Sequence, residues 1–262
     1  MHGSTTSAQR KRLQAIAFDV DGTLVDSERD GHRVAFNRAF EEAGLPDRWG
    51  VELYGELLDV TGGERRITTY LEQRGMARGE REQLAPGLHA RKTEIFTEMA
   101  KQGEIEPRPG AGELLDELHR AGVRLAIATT GSAGWVHPLL QRLFGIERFE
   151  TIVTGDEAPE RKPDPSVYRL ALERLDLPAS AAVAVEDSLN GLRAARSAGL
   201  ACVVVVNDYT REQDFEGADL VLDGYGSADA SAWVLSDPHG LEPSGRLGVD
   251  ALRRLATKAS GA

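Results

Sequence analysis

Five stretches of the chain are apolar almost without a break: LQAIAFDV (Leu13 to Val20), VRLAIATT (Val123 to Thr130), ETIVTGD (Glu150 to Asp156), AAVAVED (Ala181 to Asp187) and LACVVVV (Leu200 to Val206). They do not alternate apolar and polar positions as a strand with one wet face does. Continuous runs of valine, isoleucine and alanine predict parallel strands covered on both faces. Between them the apolar period becomes helical. GAGELLDELHRAG follows Pro109 and stops at Gly122. DPSVYRLALERLDLP has Asp164 as cap, Pro165 in its first turn, and Leu170, Leu172 and Leu175 available to face a sheet. SLNGLRAARSAG ends at Gly199. Proline near a helix start and glycine past its end are the expected punctuation. The alternation predicts an α/β fold with a doubly wound, Rossmann-like parallel-sheet core.

One segment breaks this rhythm. From about Gly31 to Gly103 only helical patterns occur: HRVAFNRAFEEAG, VELYGELLDVTG, ERRITTYLEQRG and EQLAPGLHARKTEIFTEMAKQ. Pro86 is expected to interrupt or start the last of these, because proline lacks the amide a helix interior needs. A helical cap domain inserted after the first strand is predicted, with linkers near DSERDG and GEIEPRPG. The expected division is a disordered N-terminus (1–12), a core (13–28 and 104–237), the cap (29–103) and a C-terminal extension (238–262) of loop and short amphipathic helix.

Charge narrows the partners. The 262 residues carry a formal net charge of -11, which argues against nucleic acid or an anionic membrane surface, both polyanions. A small anionic substrate needs only a local positive cluster. The single cysteine, Cys202, excludes an internal disulfide and reads as a buried strand residue. No apolar stretch reaches the roughly 20 residues of a membrane span, and MHGSTTSAQRKRLQ lacks an apolar signal core. A monomer is expected, cytoplasmic or, in a photosynthetic eukaryote, in the plastid stroma.

Open α/β sheets bind ligands beyond the carboxyl ends of their strands, so the polar residues at those ends carry the chemistry. The first strand ends in Asp19 and Asp21, the second in Thr129 and Thr130, and the fourth in Glu186 and Asp187; Lys162 follows the third, in RKPDPSVY. Four carboxylates and one lysine repel unless a cation joins them, and an all-oxygen donor set suits Mg²⁺. A phosphoryl transfer follows. Asp19 attacks phosphorus to give an aspartyl-phosphate, Asp21 protonates the departing alkoxide and then activates water, and Thr129, Lys162 and backbone amides hold the phosphoryl oxygens. Gly22 permits the turn that brings both aspartates to one phosphate. Singly, these residues have plainer readings: a turn with a helix cap, a solvated lysine, a strand-to-helix cap. Their joint placement after apolar strands favours the chemistry.

DVDGT, the Thr129 strand end, KPDP and EDS, in this order, resemble the four motifs of the haloacid-dehalogenase superfamily of phosphohydrolases. The likeness spans nearly the whole core. The helical insert resembles the cap of the subgroup containing β-phosphoglucomutase. ERDGHRVAFNRAF, ELYGELL, TGGERRI, GLHARKTEIF and VEDSLNGLRAA resemble the CbbY-type phosphatases, which act on xylulose 1,5-bisphosphate, an inhibitor of the CO₂-fixing enzyme Rubisco. The resemblance implies Asp19 as nucleophile and Asp21 as acid/base. It implies Mg²⁺ held by Asp19, the Asp21 carbonyl and Asp187, with Glu186 beside them, and phosphate bound by Thr129, Thr130 and Lys162. It places Glu28, His32, Tyr54 and Lys92 where relatives contact sugar or a second phosphate, and implies a cap that closes over substrate. One motif departs: GGERR stands where GGKER is expected, so Glu64 replaces a lysine. Gly62 and Gly63 with Arg65 and Arg66 then form the candidate anion-binding element. A phosphatase of another sugar phosphate or a phosphomutase is the alternative. A dehalogenase is disfavoured by Asp21, and a non-catalytic scaffold by the survival of all four core residues.

Overall fold

The computed structural model describes residues 13–60, 62–227 and 229–259. The expected disorder of residues 1–12 lies outside them. The chain forms two compact units. One comprises the described residues up to Val25 and from Glu106 onward; the other is Asp26–Ile105.

The first unit is built on a seven-stranded sheet: β1 (Ala15–Phe18), β2 (Arg124–Ala128), β3 (Phe149–Val153), β4 (Ala182–Glu186), β5 (Ala201–Val205), β6 (Leu220–Leu222) and β7 (Val234–Ser236). The strand order is β3-β2-β1-β4-β5-β6-β7. The first six pair in parallel, and β7 pairs antiparallel with β6. β1, β4 and β5 are buried throughout, which explains their unbroken apolar sequences: each has both faces covered. The helices of this unit, which follow four in the second unit, are α5 (Ala111–Arg120), α6 (Ala133–Leu143), α7 (Ser166–Leu175), α8 (Leu189–Ser197) and α9 (Val249–Ala259). In α7, Val167, Tyr168, Ala171, Leu172 and Leu175 are buried, a helical period pressed on the sheet.

Pairing fixes what meets at the carboxyl edge. Phe18 is opposite both Ile127 and Val185, so Asp19 emerges between the ends of β2 and β4, beside Glu186. The Asp19 amide continues the ladder to the Val185 carbonyl at 3.0 Å, and the Thr129 amide to Val153 at 3.0 Å.

Three features differ from expectation. β6 and β7 extend the sheet beyond the five predicted strands. The predicted C-terminal extension belongs to the first unit: α9 buries Ala251, Leu252, Leu255 and Ala256 and packs on α5 and the β4–β5 region. Pro86 does not interrupt its helix, which runs as α4 from Arg78 to Gln102. The buried face of Leu88, Lys92, Ile95, Phe96 and Met99 outweighs the one backbone bond that proline removes.

The second unit comprises α1 (Arg33–Glu42), α2 (Val51–Leu57), α3 (Gly63–Gln73) and α4, preceded by a wider helical turn at Glu28–His32. An aromatic cluster holds it together. Trp49 is fully buried, with ring centroids 4.7 Å from Phe36, 4.9 Å from Phe40 and 5.2 Å from Tyr70.

Candidate active site

The strand ends of the first unit converge as their sequence positions require. The Lys162 ammonium donates to Asp19 Oδ1 and to Glu186 Oε1, each at 2.6 Å. Side-chain exposure is 8% for Lys162, 8% for Asp19 and 1% for Glu186, so this is a dry three-member ion pair in which charge interactions are strong. Asp187 lies beside it. Carboxylate oxygens of Asp19, Glu186 and Asp187 all fall within 4.8 Å of one another.

Glu186 and Asp187 also accept from uncharged side chains. Asn207 Nδ2 donates to Asp187 Oδ2 at 2.7 Å and lies 3.4 Å from the Gly22 carbonyl. The Thr23 hydroxyl donates to Asp187 Oδ1 at 3.3 Å. The Tyr168 hydroxyl donates to Glu186 Oε1 at 2.5 Å, and the Lys162 ammonium sits 5.1 Å from the Tyr168 ring centroid. Gly191, at the start of α8, must be glycine: a Cβ there would lie 1.9 Å from Glu186 Oε2. Gly22, with φ +77°, is equally constrained, since a Cβ would come within 2.2 Å of Asp187 Oδ2. The turn after β1 is thus packed directly against a carboxylate.

Burial pushes the Asp19 carboxyl up to about 7; Lys162 opposes this, while Glu186 and Asp21 add to it. Burial, then repulsion by Asp19 and Glu186, raises Asp187 well above the usual carboxylate range. Burial works against the Lys162 charge, but Asp19 and Glu186 outweigh it and hold the ammonium above its ordinary value. Asp19, Glu186 and Asp187 against one lysine leave two formal negative charges in a dry site. An all-carboxylate donor set with that surplus fits a hard divalent cation, and these three residues are the ones that could hold it.

Thr129 is buried at the end of β2, and its hydroxyl accepts from the Gly131 amide at 3.1 Å. Thr130 and Asp21 are part-exposed at the same edge. All the strand-end residues singled out in the sequence therefore sit at one edge of the sheet.

In the second unit, the Tyr54 hydroxyl donates to Glu28 Oε2 at 2.5 Å and accepts from Arg66 Nη1 at 3.1 Å. Arg66 Nε also donates to the Leu57 carbonyl at 2.9 Å. Lys92 Nζ and His32 Nδ1 are 2.8 Å apart; the ammonium can only donate, so that ring nitrogen is the acceptor. Lys92 is buried, 4.7 Å from the Phe36 ring and 5.3 Å from the Phe96 ring. Gly62 (φ +93°) and Gly63 open α3; a Cβ at Gly63 would lie 2.7 Å from the His89 ring. Arg66 is buried and committed to Tyr54 and Leu57, whereas Arg65 and Glu64 are exposed. The structure thus separates two arginines that the sequence treats alike.

Sequence reasoning did not single out Asn207, Thr23, Tyr168 or His89. Asn207 had a readable signal, as the first polar residue after LACVVVV. Tyr168 lies in the first turn of α7, after the non-helical segment that carries Lys162, and only tertiary packing tells it from a core tyrosine.

A family profile described as haloacid dehalogenase-like hydrolase matches residues 13–199. The chain belongs to that family. This hydrolase is 47% identical over 217 residues to Protein CbbY of Cereibacter sphaeroides, across 81% of this chain and 93% of that one. It is 41% identical over 231 residues to the CBBY-like protein of Arabidopsis thaliana, across 85% and 72%. The solved structure of CbbY from Rhodobacter sphaeroides in complex with phosphate matches with a TM-score of 0.68 at 44% identity, covering 81% of this chain and 94% of that one. A variant of CbbY from the same organism, in complex with xylulose-(1,5)bisphosphate, matches with a TM-score of 0.68 at 43% identity, covering 83% and 98%. The protein is a haloacid dehalogenase-like hydrolase. Among its described residues no helix is long and apolar enough to cross a membrane.

Proposed function

We propose that this hydrolase is a Mg²⁺-dependent phosphatase that converts xylulose 1,5-bisphosphate to xylulose 5-phosphate and inorganic phosphate. The observation that carries the chemistry is the dry Asp19–Lys162–Glu186 cluster with Asp187 beside it. The choice of sugar is supported by the CbbY relative bound to xylulose-(1,5)bisphosphate.

Asp19, Glu186 and Asp187 would hold Mg²⁺, with the Asp21 carbonyl as a further ligand. When bound, the ion neutralises the surplus carboxylate charge and draws in the phosphoryl oxygens. Lys162 keeps its proton at all working pH values and steers Asp19 by a 2.6 Å contact. A carboxylate oxygen of Asp19 bonds to phosphorus as the bond from phosphorus to the sugar oxygen breaks. Asp21 gives its proton to that oxygen. Water then attacks phosphorus, Asp21 takes the proton back, and Asp19 is regenerated as phosphate leaves. Thr129 and Thr130 hold phosphoryl oxygens at the end of β2.

In the second unit, Lys92 and Arg66 supply positive charge suited to a second phosphate, with His32 accepting from Lys92, and Glu28 with Tyr54 offers acceptors and a hydroxyl for sugar hydroxyls. Arg65 is the exposed cation closest in sequence to the lysine that Glu64 replaces. Gly62 and Gly63 expose backbone amides at the start of α3.

The test is phosphate release with Mg²⁺ across xylulose 1,5-bisphosphate, ribulose 1,5-bisphosphate, glucose and fructose phosphates and phosphoglycolate. The reading expects strong preference for xylulose 1,5-bisphosphate over ribulose 1,5-bisphosphate, and reversible loss of activity on chelation. Preference for a monophosphate would contradict the sugar assignment. Return of the phosphoryl group to the sugar without net phosphate would make the protein a mutase, and full activity in excess chelator would remove the metal.

A further inference from the structure

Arg108, in the linker sequence EPRPG, points its guanidinium into the catalytic edge rather than into solvent. Its Nη1 donates to the Gly22 carbonyl at 2.6 Å and to the Val205 carbonyl at 2.8 Å, while Nη2 donates to the Val206 carbonyl at 2.6 Å. Its own backbone amide donates to the Leu24 carbonyl at 2.9 Å. The guanidinium carbon lies 5.7 Å from the Tyr225 ring centroid, and the Tyr225 hydroxyl in turn donates to the Thr23 carbonyl at 3.1 Å. None of the Arg108 side-chain bonds made here goes to a carboxylate. All three go to main-chain carbonyls, two at the end of β5 and one in the turn after β1.

That turn is Asp21–Gly22–Thr23–Leu24, closed by the Gly22 amide on the Val25 carbonyl at 2.8 Å. It begins two residues beyond Asp19 and carries the acid/base aspartate of the proposed reaction. Asn207, at the end of β5, holds it from one side and Tyr225 from another. Arg108 supplies the shortest bond to it. A planar fork with donors aimed in two directions spans carbonyls on separate segments; a lysine ammonium presents one point of charge instead.

We propose that Arg108 is a positioning residue for the reaction: it fastens the Gly22 turn to the end of β5 and so sets where the Asp21 carboxyl meets the leaving oxygen. The proposal rests on the phosphatase reading above. Its consequence is selective. A shift of about 1 Å in a reacting group can cost roughly 10²-fold, but only where that group is needed. A sugar alkoxide cannot leave without the proton from Asp21. A nitrophenolate can, because it is a far weaker base.

The experiment compares kcat/KM for the sugar phosphate and for p-nitrophenyl phosphate in wild type, Arg108→Met and Arg108→Lys, since kcat/KM reports the step in which the leaving group departs. The expected result for Arg108→Met is a fall of about 10²-fold with the sugar phosphate and of less than about fivefold with p-nitrophenyl phosphate. Arg108→Lys retains the charge and nearly the length, carries the test if the methionine variant folds poorly, and should show the same bias at smaller size. Amide exchange in the metal-free protein gives a second readout: Gly22 to Leu24 should exchange faster in Arg108→Met while β1 and β5 keep their protection. Equal losses with both substrates would mean that Arg108 only supports the fold, and unchanged exchange in the turn would likewise overturn the proposal. Absence of Mg²⁺-dependent phosphate release by the wild type from either substrate would instead remove the phosphatase reading, and the proposal with it.

Discussion

Asp19→Asn should lower turnover by at least ~10⁴-fold, as loss of a covalent nucleophile does, and should make the metal-free protein more stable at pH 8. The two effects come from the same burial. The Asp19 carboxyl is pushed from 3.8 up to about 7, by burial first, so the folded state holds its proton more tightly than the unfolded chain. Below pH ~4 the carboxyl is protonated in both states and contributes no cost. As pH rises from there toward 7 the unfolded chain ionises first, and folding loses stability; above 7 the loss is constant. Asparagine imitates the neutral acid and removes that cost, by up to about 4 kcal/mol. Thermal denaturation of the metal-free proteins at pH 8 and pH 5 measures it: the variant's advantage should be largest at pH 8 and shrink at pH 5. A variant that is less stable than wild type at pH 8 would show that the cluster is not charge-strained. A variant retaining substantial phosphatase activity would remove Asp19 from the chemistry.

Lys162→Met should be the most damaging change to the fold among the site residues. It strips the cation from two buried carboxylates that both lie 2.6 Å from it. Breaking a buried ion pair from one side costs about 3–5 kcal/mol, and the loss should be smaller at acid pH, where the carboxylates can protonate. Activity should fall about 10³-fold, the scale of losing one preorganised charge-stabilising donor. The double variant Lys162→Met/Glu186→Gln separates the effects. It should recover much of the stability, because one stranded charge is gone, and none of the activity. Recovery of activity in the double variant would mean that Lys162 serves only to neutralise Glu186.

The core was legible because its signals are local and its geometry is regular. β1, β4 and β5 are covered on both faces, so each reads as an unbroken apolar run, and parallel pairing brings the residues just past each run to one edge. Asp19, Thr129, Glu186 and Asp187 follow from that alone. β6 and β7 are three residues each, too short for any period, and β7 is exposed throughout. Pro86 misleads because its local cost is overruled by distant packing of α4. The residues that hold the site together were harder. Arg108 looks like a linker charge, and Tyr168 has the spacing of a core residue on α7. Asn207 obeys the same strand-end rule, at the carboxyl end of β5, one strand beyond Glu186 and Asp187. In the second unit, adjacency in sequence hid opposite fates: Arg66 turns inward to Tyr54 and Leu57, while Arg65 faces out.

The central claim is that the phosphoryl group passes through Asp19. Rapid acid quench of the enzyme turning over a radiolabelled sugar phosphate, followed by peptide mapping, tests it directly. The label should be found as an acyl phosphate on the peptide containing Asp19, appear before free phosphate, and be absent from Asp19→Asn. Phosphate release at full rate with no labelled enzyme, or with the label on another residue, would contradict it.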